Sequence, residues 1–186
     1  MPNRRYPMPV NYLHGVASDL LSTAQNGLTE ACTGHEEPER VYVAHGVPVV
    51  DGCANTHGQL TVHLSKIGTR PVSPRTNRTP GANQCQIMAV AQFAIQLFRC
   101  VPVPNDRGVP PTDTALDESA ADLMLDAWAL YSHIIAERAA GDLISGLGCD
   151  GVAIGEITPI APSGGTAGWQ FTVDVMLSDA GPCAGS

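Results

Sequence analysis

A chain of 186 residues, 44% of them hydrophobic, has the material for one ordinary domain with a real core, which excludes global disorder. Its net charge of −8 argues against a free nucleic-acid binder, whose surface is usually basic. No apolar run reaches the roughly 18 residues that a membrane-spanning helix needs.

The start of the chain carries Arg4 and Arg5, but Pro7, Pro9, Asn11, His14 and Gly15 break up the stretch that follows. That is too interrupted for a secretory leader, so the cytosol, or an assembly built there, is the expected location. The first helix is expected from about Asn11 to Leu28. Leu13, Ala17, Leu20, Leu21, Ala24 and Leu28 make one apolar face, and Gly27 is a candidate for its end. Thr33 to Arg40 is polar and acidic, as a surface loop is. Arg40 to His45 reads as a short strand, and turn residues follow from Gly46 to Gly58.

Gln59 to Ile67 alternates as a strand, with Leu60, Val62 and Leu64 on one side and Thr61, His63 and Ser65 on a polar side. Gly68 to Asn83 holds three prolines and three arginines without periodicity, which predicts a long exposed loop or an assembly arm. Within Cys85 to Val103, Ile87, Ala89, Ala91, Phe93, Ile95 and Leu97 alternate with Gln86, Met88, Val90, Gln92, Ala94 and Gln96. A strand of about 45–50 Å is expected there, although its alanines also permit a helix. Pro102 and Pro104 stop it.

A long helix is predicted from about Thr114 to Ala140, with Asp113 as its cap and Gly141 as its stop. Its core stripe reads Leu116, Ala120, Leu123, Ala127, Leu130 and Ile134, flanked by Met124, Tyr131 and Ile135. At about 40 Å it matches the long strand and could lie along it. Val152 to Ile160 and Trp169 to Leu177 are the last strands, and the tail from Ser178 is small and polar. The expected architecture is α+β. An antiparallel or mixed sheet of four or five strands carries one long and one shorter helix on one face, in a single domain over 1–180 with a flexible tail at 181–186.

The six cysteines, at 32, 53, 85, 100, 149 and 183, show no Cys-x-x-Cys knuckle, so a structural zinc site is not expected. For a cytosolic chain of this size they are expected as reduced, small hydrophobic residues. Asp51, Cys53, His57 and His63 are the nearest approach to a reactive set, because a nucleophilic thiol needs a base within hydrogen-bond reach. No catalytic motif surrounds them, and no phosphate loop or dinucleotide fingerprint occurs, so neither enzyme activity nor a cofactor or metal is expected.

Charge is unevenly spread. Gly52 to Asn105 contains no acid and carries +5, leaving −13 for the rest of a chain whose total is −8. Arg70, Arg75 and Arg78 in the basic stretch, and Glu118, Asp122 and Asp126 at i, i+4 and i+8 on the long helix, are therefore candidates for a contact between identical subunits.

Cys53 with the following Gln59-Leu-Thr-Val-His-Leu, then Phe98-Arg-Cys-Val-Pro-Val-Pro, then Ala121-Asp-Leu-Met-Leu-Asp-Ala-Trp, resemble segments of the neck proteins of tailed phages that infect actinobacteria, the head-to-tail connector or tail terminator proteins. The resemblance covers roughly residues 40 to 180, mainly through the order and spacing of elements. It implies a structural virion protein that forms a ring, typically a homohexamer, at the head–tail junction. Such a ring caps the tail tube and joins it to the head, with genomic DNA passing through the lumen without specific binding. The implied partners are further copies of the chain, the tail tube protein and a head-side neck or stopper protein, with no membrane. Assembly would take place in the host bacterial cytoplasm. Another neck ring, such as the head-tail stopper, fits the same resemblance. A small enzyme using Cys53 and His57 is the competing class.

Overall fold

The computed structural model describes residues 12–30, 37–50, 53, 58–71 and 87–177. Two helices, α1 (Tyr12–Glu30) and α2 (Asp113–Ala140), accompany six strands: β1 (Arg40–Ala44), β2 (Gln59–Pro71), β3 (Ile87–Cys100), β4 (Val152–Ile154), β5 (Thr158–Ser163) and β6 (Thr166–Leu177). The fold is α+β, and its sheet is mixed, in the order β1-β2-β3-β6-β4, with β5 on the same edge of β6 as β4. β1 runs parallel to β2, and the other pairings are antiparallel.

β3 is the central strand. It pairs with β2 from Gln59↔Phe98 to Pro71↔Ile87 and with β6 from Cys100↔Thr166 to Ala89↔Leu177. Two full-length partners override the helical preference of its alanines, because strand preference depends on neighbours and burial. One face of the sheet carries Leu60, Val62, Ala91, Phe93, Ile95, Leu97, Phe171, Val173 and Val175, and packs with the apolar sides of α1 and α2 into the core. Burying a side chain of this size contributes roughly 1.5–3 kcal/mol.

Several expected details change. α1 does not end at Gly27. The glycine is buried inside the helix, where a Cβ would sit 2.8 Å from the Cβ of His133 on α2. The missing side chain is what lets the helices approach. α2 is capped by Thr112, whose side chain accepts from the Ala115 N–H, and not by Asp113. Its stop is as expected: Gly141, at φ 86°, donates its N–H to the Arg138 carbonyl.

The stretch 152–160 is two strands. They break at Gly155, whose N–H donates to the Thr172 carbonyl at 2.7 Å and whose carbonyl accepts the Tyr131 hydroxyl at 3.0 Å. Gly68 to Arg70, expected in a loop, belong to β2. β5 turns into β6 through Gly164 and Gly165, at φ 57° and 82°, a left-handed pair suited to a two-residue hairpin turn. The N-terminal stretch 1–11, the rest of the arginine-rich loop at 72–86 and the tail at 178–186 lie outside the described residues.

α2 and β3 match in length but are not coextensive. α2 packs chiefly against α1, with smaller contacts to β6 and to the turn Cys149–Gly151. Asp126 contacts Arg99 at one end of β3, Tyr131 stacks edge-on against Phe171 at 5.6 Å, and Arg138 Nε donates to the Val152 carbonyl at 2.7 Å. Val152 pairs with Val175, which pairs with Ala91, so the helix runs from the Cys100 end of β3 towards its other end. None of residues 113–125 is buried. About 20 Å of helix therefore projects past the sheet.

Candidate functional site

From the projecting half into the turn after it, α2 presents an apolar stripe to solvent. Met124 is 65% exposed, Leu125 50% and Trp128 71%, with Leu116 and Ile135 also exposed. Asp117, Ala121, Met124 and Trp128 are spaced 4, 3 and 4 apart, which places them along one side of the helix, and Leu125 adjoins them. That side lies away from the core face of Ala127, Leu130 and Ile134. Asp113, Asp117, Glu118 and Asp122 are all exposed along the same projection, and no lysine or arginine occurs in the helix before Arg138. Met124, expected beside the core, is instead on this outer side, and Trp128, which the sequence assigned to no face, joins it. The available signal was the spread of apolar residues right round the helix, since a purely surface helix keeps one polar face.

A second surface lies at the other end of the strands. β1 pairs with β2 only from Gln59 to His63, so the outer edge of β2 beyond that point has no neighbouring strand among the described residues. Leu64 to Arg70 are all exposed. A bulge between Leu64 and Lys66 shifts the register there. Ile67 is 57% exposed, and Lys66 and Arg70 are the charged residues of this edge. Arg70 Nη2 lies 3.7 Å from Asp174 Oδ2, and Asp174 also accepts from Gln92 Nε2 at 2.7 Å.

The six candidate contact residues therefore separate. Arg70, Glu118 and Asp122 are exposed, while Arg75 and Arg78 lie outside the described residues. Asp126 is not on the solvated face. It is 1% exposed and accepts from Arg99 Nε at 2.7 Å and Nη2 at 3.3 Å, a two-pronged pair that fixes α2 to the end of β3.

The proposed thiol chemistry also changes. Cys53 and Cys100 form a disulfide with Cα atoms 5.5 Å apart, which corrects the expectation of reduced thiols. The bond ties the segment before β2 to the end of β3, and Cys53 Sγ lies 3.2 Å from the Gly165 carbonyl oxygen. A sulfur held in a disulfide is not an activated thiolate. Asp51 and His57 lie outside the described residues.

His63, expected on a solvated polar side, is buried at 4% exposure in a row with Gln59, Thr61 and Gln96. Gln96 Nε2 donates to Gln170 Oε1 at 3.0 Å, but Gln59 Nε2, Thr61 Oγ1, His63 Nδ1 and Gln96 Oε1 have no partner among the described residues. Desolvation lowers the pKa of His63 below the usual imidazole value, because burial penalises the charged ring. No group of three histidine, cysteine or acidic residues placed to hold a metal occurs among the described residues.

No family model matches the chain, and no curated protein matches it.

Proposed function

We propose that this chain is a structural subunit that assembles with copies of itself, in the role that the quoted segments resemble: the ring at the head–tail junction of a tailed phage, capping the tail tube with DNA passing through the lumen. The observation that carries the reading is the exposed stripe of Met124, Leu125 and Trp128 on a helix that projects from its own domain. A tryptophan 71% exposed beside two other large apolar side chains costs solubility in a free monomer, and such groups serve as anchors at protein interfaces. The acids beside it supply a polar margin, as interface cores usually have. Cys53 in a disulfide weighs against the competing thiol enzyme.

The test is negative-stain electron microscopy of the purified chain, with its mass measured by light scattering. Closed rings of uniform size support the reading. A monodisperse monomer at tens of micromolar would sink it.

A further inference from the structure

We infer that the projecting half of α2 in one copy docks on the open edge of β2, residues 64–70, in the next copy. The proposal rests on the self-assembly reading above and names the two surfaces that meet.

Three observations carry it. The first is charge. Residues 113–137 of α2 contain acids and no lysine or arginine, while β2 from Leu64 to Arg70 contains Lys66, Arg70 and no acid. Asp117 and Glu118 flank the Met124, Leu125 and Trp128 stripe; Lys66 adjoins Ile67 and lies two residues from Leu64. Each surface thus has an apolar centre and a charged margin, and the margins are of opposite sign.

The second is the state of the β2 edge. A strand edge left open is normally shortened, charged, bulged or covered by a helix. This one, with no neighbouring strand among the described residues, carries a lysine and a bulge, yet leaves Ile67 57% exposed. Lys66 has a side chain long enough to reach round the edge towards a helix laid against it, while Arg70, 3.7 Å from Asp174, keeps its charge on the inner side of the same margin.

The third is placement. α2 projects beyond the Cys100 end of β3, whereas the open edge of β2 lies towards the Pro71 end, opposite Ile87 to Phe93. α2 packs on β6, towards one side of the sheet, and the open edge faces the other side. Surfaces at opposite corners cannot satisfy each other within one chain. They join copies head to tail, the type of contact that closes into a ring or extends into a helical filament.

The test is sedimentation velocity of the full chain with two charge-reversed variants, Lys66→Glu/Arg70→Glu and Asp117→Lys/Glu118→Lys. All four positions are exposed, and circular dichroism confirms that each variant is folded. Each variant alone is expected to assemble about tenfold or more weakly than the parent, because like charges then face each other. An equimolar mixture is expected to regain assembly, since every reversed edge can meet a reversed helix and every native edge a native helix. Trp128 emission should shift to the blue as the mixture assembles. If the parent assembles but folded variants assemble equally well, or the mixture does not recover, the docking is wrong and self-assembly stands. If the parent is monomeric throughout, both fail.

Discussion

Arg99 and Asp126 hold each other through two hydrogen bonds, of 2.7 and 3.3 Å, at the point where α2 leaves the sheet. The buried residues of the helix start at the pair, and none lies N-terminal to it. Removing one partner leaves the other charged and largely desolvated. Asp126→Asn is therefore expected to cost about 3 kcal/mol in urea denaturation, near the lower end for buried pairs because Arg99 is 12% exposed. The double variant Arg99→Met/Asp126→Leu should recover most of that loss, since a well-packed apolar pair often matches a buried ion pair. A double variant as unstable as the single one would mean that the pair is worth more than its desolvation.

Two glycines of α1 should respond in opposite directions. Gly15 has open space where a Cβ would stand, so Gly15→Ala should stabilise the protein by up to about 1 kcal/mol through helix preference. At Gly27 a Cβ would stand 2.8 Å from the His133 Cβ. Gly27→Ala must push α1 and α2 apart, at a cost of about 1–3 kcal/mol that outweighs the same preference. Thermal melts of the two variants decide the matter, and stabilisation by both would remove the close approach from the account of the fold.

The bond between Cys53 and Cys100 spans a sequence separation of 47 residues. In the chain-entropy account, closing a loop of that size stabilises the folded state by about 4 kcal/mol. Cys100→Ser, or reduction, should lower the denaturant midpoint accordingly. Peptide mapping without reductant should recover the two cysteines as one cross-linked pair. Six free thiols in unreduced, denatured protein would overturn the pairing.

The parts of this fold that could be read from sequence are those set by local period. Trp169 to Leu177 of β6 alternate cleanly, so that strand and its apolar side were legible, whereas β3 showed the same period but its alanines left a helix open until its two partner strands are seen. What resisted depends on partners distant in sequence. Glu118, Asp122 and Asp126 look like one stripe at i, i+4 and i+8, but each step of four residues advances about 40° round a helix of 3.6 residues per turn. By the third acid the stripe has turned to meet Arg99. Which cysteines pair is not contained in their spacing. For His63, alternation gives the side of the sheet and says nothing of whether that side is dry.

That burial gives His63 a pH signature. The residue is 4% exposed, its Nδ1 has no partner among the described residues, and Thr61 and Gln96 lie on the same side of the sheet. Its pKa is lowered by desolvation from the unfolded value near 6.5. Above that value the ring is neutral in both states and contributes no pH dependence. As pH falls below it, the unfolded chain takes up the proton first, and stability drops until the pH passes the lowered folded value, below which the loss levels off. One such group cannot give a slope above about 1.4 kcal/mol per pH unit. The difference in unfolding free energy between the parent and His63→Gln, measured from pH 7.5 downwards, isolates this contribution from the other histidines. The parent is expected to lose stability relative to the variant as pH falls through 6.5. A difference that stays constant with pH would mean that the ring is not desolvated in solution.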